Sequence, residues 1–220
     1  MTSSQTGMPI VLIGGGGHAS VLADILTSQN REICAVVSPD DVSTRQVFEN
    51  IPVLTSDKEI AQFSPQSVML VNGIGMLPFS GLRCDVTKWY TSMGYRFETV
   101  VSEQSLVSKY AVLEEGGQVF PGAIVQAGAV VGKQTIVNTG AIVEHDCLIG
   151  PFNHLAPGCV VCGGVKTGKQ VFIGANATVT QGSCLGDQSI VGAGAMLSED
   201  LSAKAVCYSS RSVIKPHTEK

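Results

Sequence analysis

Val125-Gln126-Ala127-Gly128-Ala129-Val130-Val131-Gly132-Lys133-Gln134-Thr135-Ile136-Val137-Asn138-Thr139-Gly140-Ala141-Ile142-Val143 returns to an aliphatic residue at every sixth position. The rhythm extends back to Val119 and forward through Ile149, Leu155, Val161, Thr167, Ile173, Val179, Leu185, Val191 and Leu197. Thirteen of these fourteen positions are Val, Ile or Leu, and Thr167 is the exception. A spacing of six fits neither the 3.6-residue period of a helix nor the two-residue pleat of a lone strand. It is the mark of a parallel β-helix in which each hexad makes one short face. With three faces to a coil, fourteen hexads wind four to five coils, and each coil buries its interior only by stacking on its neighbours. Within a hexad the aliphatic slot and the residue two before it point inward. The flanking residues point outward and the next two turn the corner. Leu106 and Val112 keep the rhythm one residue out of phase, which predicts an insertion within Glu114–Gly117. Beyond Leu201 the rhythm fades, and Ala205–Ile214 reads as a terminal strand that caps or leaves the coil. The first seven residues and the last few read as disordered.

Composition agrees with a solenoid: charged residues are 15% and aromatics 5%, while glycine numbers 25, as corners require. The net charge of -4 gives no electrostatic case for nucleic acid. No apolar run approaches the ~18 residues of a membrane span, and Met8–Ile13 is short for a signal-peptide core and lacks a basic leader. Seven cysteines, an odd number, point to free thiols in a reducing cytoplasm. Cys159 and Cys162 form a CxxC, but no second pair completes a zinc site. Cys147 and Cys159 instead occupy the inward slot two before an aliphatic position, so no metal is expected.

Ahead of the array lies a block with different grammar. Pro9-Ile10-Val11-Leu12-Ile13 reads as a buried parallel strand. Gly14-Gly15-Gly16-Gly17 follows, then a helix from His18 with Val21, Leu22, Ile25 and Leu26 on one face. Strands are predicted at Glu32–Val37, Ser67–Val71 and Arg96–Val101, and a helix around Leu82–Met93. This alternation argues for a parallel sheet with crossover helices. The chain therefore divides into an α/β domain over residues 8–100, shaped like half a Rossmann unit, and a parallel β-helix domain over residues 101–216.

Few residues break the small-and-aliphatic pattern, and those carry the chemistry. His145 falls on a corner between Glu144 and Asp146. A carboxylate beside an imidazole orients the ring and favours its protonated form, which suits a general base; the plain alternative is a solvated polar corner. His154 precedes Leu155 and should point outward from a flat face. It follows His145 by one and a half faces, so the two do not stack within one subunit but can meet across an interface. Asn138 also projects outward and can orient a ligand, or simply suit its turn. In the first block, Gly14-x-Gly16-x-x-Ala19 joins a strand to a helix, where backbone N–H groups can cradle a phosphate. His18 follows directly and can touch phosphate or sugar. Asp40 and Asp41 follow the second strand, where an acid can bind ribose hydroxyls, although Ser38-Pro39-Asp40-Asp41 is also ordinary turn chemistry.

Together, the Ile13-Gly14-Gly15-Gly16-Gly17-His18-Ala19 loop and Asn138-Thr139-Gly140-Ala141-Ile142-Val143-Glu144-His145-Asp146 resemble the NeuD/PglD-like sugar acetyltransferases. The resemblance spans Ile10 to about Pro216. It implies a left-handed β-helix, a homotrimer, and acetyl-CoA held in grooves between subunits. His145 would be the general base, with Asp146 as the acid beside it and Glu144 as the alternative. His154 would sit at the acetyl-CoA site with backbone near Gly163, Ala175 and Ala193. Gly16, Gly17 and His18 would form the nucleotide-sugar loop, and Gly75 a second substrate contact. One departure concerns the nucleotide: many members carry paired acids in register with Ser38-Pro39 here. The expected reaction is N-acetylation of an amino group on a UDP-linked sugar, without a metal. O-acetylation of sialic acid or a similar sugar is the nearest alternative. A zinc enzyme on the same β-helix and a non-catalytic nucleotide-sugar-binding module are further ones.

Overall fold

The computed structural model describes residues 7–210. The expected disorder at the extreme termini, and the part of the expected last strand beyond residue 210, lie outside the described residues. Four parallel strands, β1 (Ile10–Ile13), β2 (Ile33–Val37), β3 (Val53–Leu54) and β4 (Met69–Asn72), form a sheet in the order β3-β2-β1-β4. Strand β1 is apolar throughout because both its faces are covered. Ile10 and Leu12 pack with helix α1 (Gly17–Ser28), whereas Val11 and Ile13 pack with Tyr90 of helix α2 (Leu82–Ser92). Helix α1 buries Ala19, Leu22, Ala23, Ile25 and Leu26. Val21, expected on that face, is 37% exposed, because the stripe is centred one position round toward the alanines.

After β3 the chain crosses to the far side of β1, so strand order reverses between β1 and β4. The crevice beyond the carboxyl ends of two such strands is where open α/β sheets bind ligands. Here it is bounded by Gly14–Gly17 and Gly73–Gly75. The expected strand Arg96–Val101 is split between the two architectures: Phe97 bridges Leu70 at the sheet edge, whereas Val100–Val101 pairs with Gln118–Val119 in the coil. Strand β3 and two 3-10 turns, Gln46–Phe48 and Asp57–Gln62, were not anticipated. The second carries a capping box from Ser56 and Glu59, a pattern visible in the sequence.

The remainder is a left-handed β-helix of two-residue strands. Partners lie eighteen residues apart, as in Val131↔Ile149, Val137↔Leu155 and Val143↔Val161. The three faces carry five, seven and six strands, so the solenoid is longer than the four to five coils expected. The reason lies at its start. Val101, Val107 and Leu113 point inward and stand beneath Val119, Val125 and Val131 with no break in step. No insertion separates them. Leu106 and Val112, which suggested one, are the outward members of their strands, 68% and 52% exposed. The true irregularity is at the other end, where Leu201 bridges Leu185 and Cys207 pairs with Val191, two residues short of a full coil.

Inside, Val, Ile, Leu, Ala and Cys pack in columns, with Cys147 and Cys159 fully enclosed. Each buried Val or Leu contributes about 1.5–3 kcal/mol. Thr167, the odd hexad residue, accepts hydrogen bonds from Gly150 N at 2.9 Å and from the Asn153 side chain. It continues an internal polar line with Thr135, whose Oγ1 donates to Gly150 O and accepts from Asn153 N.

The α/β block rests on the seven-stranded face. Outward residues there are consequently buried: Gln118 and Ile136 at 0% and His154 at 8% exposure. Arg83 is wedged between the two parts, donating from Nη1 to Asn72 O (2.9 Å) and Ile74 O (2.6 Å) and from Nε to Gln134 O (3.1 Å). No helix among the described residues is long and apolar enough to cross a membrane.

Candidate active site

Two constellations emerge. The first is a cavity of about 760 Å³ at the strand-order crevice, lined among others by Gly14, Gly15, Gly16, Gly17, His18, Ser38, Gly75, Asn138 and His154. Six of the residues expected to bind substrate thus meet around one space, and His154 joins them. At its wall helix α1 begins with Gly16 as N-cap, no side chain capping it and no acid in its first turn. Its N-terminal N–H groups and positive dipole end are left for an anion. Ser38 is buried, and its hydroxyl donates to Asp40 O. The Asp41 carboxylate accepts from Ser43 N and Oγ. The turn reading of this stretch therefore describes Asp41, while Asp40 lies at the cavity wall.

His18 stacks on Phe120 at 5.0 Å and bonds through Nε2 to Gln118 Oε1 at 2.8 Å. Gln118 Nε2 donates to Asn72 O, so its Oε1 is the acceptor and His18 carries its proton on Nε2. Burial, with the Arg83 charge nearby, lowers the His18 pKa from 6.5 to about 3. His18 is therefore a neutral ring, not a cationic phosphate ligand.

His154 also departs from expectation. It does point outward from the coil, but Met76 and the rest of the α/β block cover it. Its Nδ1 donates to Met76 O and its Nε2 accepts from Asn138 Nδ2, both at 3.1 Å. Burial, then Arg83, lowers its pKa to about 4. Gln118, Phe120 and Arg83 escaped the sequence reading. Phe120 had a signal, an aromatic in an array that otherwise has few, whereas an arginine on an amphipathic helix reads as solvated.

The second constellation is the corner between the six- and five-stranded faces. There His145 Nδ1 lies 2.8 Å from Asp146 Oδ2, with side chains 58% and 74% exposed. Asp146 holds a left-handed backbone, φ 60°. The same corner column has glycines on either side, Gly128 and Gly164, at positive φ. Glu144 turns its carboxylate toward the His145 backbone N–H at 3.4 Å, so Asp146 is the acid paired with the ring. Gly163 lies beneath this corner, and Ala175 and Ala193 stack on a different corner, the one that follows the seven-stranded face.

A family model described as the PglD N-terminal domain matches residues 9–78. Among solved structures, a point variant of perosamine N-acetyltransferase from Caulobacter crescentus, in complex with CoA and GDP-perosamine, is 30% identical. Its TM-score is 0.82, over 90% of this chain and 92% of that one. The chain belongs to the NeuD/PglD-like family of hexapeptide-repeat sugar acetyltransferases. The acetyltransferase domain of PglB from Neisseria gonorrhoeae, in complex with acetyl coenzyme A, is 26% identical with a TM-score of 0.80, over 91% and 95% of the two chains. WeeI from Acinetobacter baumannii, at 21% identity and a TM-score of 0.76 over 91% and 96%, shares the fold. In this NeuD/PglD-like chain the Gly14–Gly17 loop belongs to the block that covers the seven-stranded face, whereas the His145–Asp146 pair stands at the corner between the other two faces.

Proposed function

We propose that this protein transfers the acetyl group of acetyl-CoA to the amino group of a nucleotide-linked amino sugar, with His145 as general base. The observation that carries this reading is the His145–Asp146 pair at a solvent-facing coil corner, beside a chain that also holds a phosphate-suited cavity. The Gly16–Gly17 end of α1 receives the pyrophosphate, and Gly75, Ser38 and Asn138 border the nucleoside and sugar. With its proton on Nδ1 held toward Asp146, His145 keeps the Nε2 lone pair free. That lone pair removes a proton as the neutral amine attacks the acetyl carbonyl. The tetrahedral oxyanion then collapses, the C–S bond breaks, and CoA leaves as a thiolate, which is a good leaving group because thiols ionise near pH 8.5. His154 has both ring nitrogens engaged, so the oxyanion donor in this mechanism is a backbone N–H.

Geometry calls for a neighbouring copy, and the family resemblance makes the assembly a homotrimer. From the corner at Thr139, at the cavity edge, to the corner at His145 is one six-residue face, about 20 Å of strand. Reacting atoms must come within about 3.5 Å. One chain does not bridge that span, whereas a symmetric neighbour can bring its cavity to this corner. Acetyl-CoA would then lie along the intervening face, between Gly163 at one corner and Ala175 and Ala193 at the other, and the neighbouring subunit's cavity would bring its own copy of His154 near the reactive end.

A UDP-linked sugar is the first candidate. A GDP-linked sugar is the second, favoured by the GDP-perosamine bound to the 30% identical relative and by Ser38-Pro39 standing in place of paired acids. The test is a panel of UDP- and GDP-linked amino sugars with acetyl-CoA, reading free thiol and product mass. Thiol release with a product heavier by one acetyl group, lost in His145→Ala by about 10²–10⁴-fold in kcat, is expected. Binding of nucleotide sugars without thiol release would leave only a binding module. An acetyl group on oxygen would move the reading to O-acetylation.

A further inference from the structure

Gly163 is buried one coil beyond His145, in the same corner column. Its place there has no backbone cause. The second residue of this corner is left-handed at Gly128, Asp146, Gly164 and Gly182, but Gly163 is the first, and its φ is not positive. The equivalent first positions are Ala127, His145 and Gln181, so the fold accepts side chains at this point. What excludes one at 163 is the imidazole. A methyl group there would stand 2.7 Å from both Cε1 and Nε2 of His145 and 3.3 Å from Cδ2. Carbon atoms in good contact sit at about 3.5 Å. On the opposite side of the pair, one coil before it, a methyl at Gly128 would likewise collide with the Asp146 carboxylate.

We propose that Gly163 is a positioning residue for acetyl transfer, a side-chain-free floor on which the His145 ring lies flat enough to keep its Nδ1–H on Asp146. This rests on the general-base reading above and deepens it. The role differs from a backbone contact to the cofactor, because Gly163→Ala keeps the N–H and changes only the space beneath the ring. An added methyl obliges the imidazole to withdraw by about 0.8 Å. The ring is exposed and can rotate away, so the chain still folds; its partnership with Asp146 is what is lost. Displacements of that size cost on the order of 10²-fold in rate when they disturb the reacting geometry.

The test compares wild type, Gly163→Ala, His145→Ala and Gln181→Ala, the last altering the same column without facing the ring. Wild type and Gln181→Ala should transfer acetyl at the same rate. Gly163→Ala should lose about 10- to 100-fold in kcat while KM for acetyl-CoA changes less than about 3-fold. A raised KM with normal kcat would make Gly163 part of the cofactor groove and overturn the proposal, as would an unchanged kcat. Imidazole NMR separates this from the reading it rests on. The His145 signal, assigned by its absence in His145→Ala, should lose its Asp146-bonded Nδ1 proton in Gly163→Ala whether or not acetyl transfer is observed. An unmoved signal refutes the floor. An inactive wild type with a shifted signal refutes the acetyl transfer and leaves the floor standing.

Discussion

Lowering the pH should loosen this protein through two buried histidines. His18 and His154 are held neutral with pKa values of about 3 and about 4, chiefly by burial and then by the Arg83 charge. In the unfolded chain both return to about 6.5. Below that value the unfolded state binds protons that the folded state refuses, so stability falls as pH falls. The contribution is fully present above about pH 6.5 and is lost progressively toward pH 4 and 3. At pH 5 the gap is about 1.5 units for each ring, or about 2 kcal/mol each at 1.36 kcal/mol per unit, and about 4 kcal/mol for the pair. Carboxylates change over the same range, so the comparison needs a variant without the two rings. Gln at 18 can keep the bond made by Nε2, and Asn at 154 the bond made by Nδ1. Urea unfolding, at one protein concentration, should show wild type losing about 4 kcal/mol more than His18→Gln/His154→Asn between pH 7.5 and pH 5. Parallel pH profiles for the two proteins would refute the argument that these rings are buried neutral at the seam between the α/β block and the coil.

Thr167→Val restores the hexad pattern yet should destabilise the protein by about 1–3 kcal/mol, because Gly150 N and the Asn153 amide lose their acceptor; a rise in Tm would contradict the polar-line account. Among the cysteines, exposed Cys184 should react first with a thiol reagent. Cys159, enclosed in the coil and pushed up to about 12 by burial, should stay unlabelled until unfolding. Mass spectrometry of a labelling time course reads both.

The coil was legible because its period belongs to one architecture only, and from Val119 to Leu197 the long run of repeats set the inward slot even where both strand residues are aliphatic, as in Val130–Val131 and Ile142–Val143. At Leu106–Val107 and Val112–Leu113 the pair was read apart from that run, so inside and outside looked alike and the phase was misread. The Gly14–Gly17 loop and the His145–Asp146 corner were legible because local sequence sets each. His154 was not, since its burial depends on Met76, seventy-eight residues away. Nor were Gln118, whose partners His18 and Asn72 come from the other block, and Arg83, which reaches across the seam to Gln134. What sequence gives is the chemistry of each segment; the seam between α/β block and coil is a product of long-range packing.

The most direct test of the account is complementation between two inactive variants. His145→Ala removes the base, and Gly17→Asp puts a carboxylate where the substrate phosphate would bind at the α1 terminus. Each alone should be close to inactive. Co-expressed in equal amounts, they would form, on the proposed trimeric arrangement, mixed trimers in which about one site in four joins an intact corner to a neighbour's intact cavity. The account predicts recovery to about one quarter of wild-type kcat per site. Mixed oligomers that remain inactive would contradict catalysis by the corner of one subunit on the substrate held by the next.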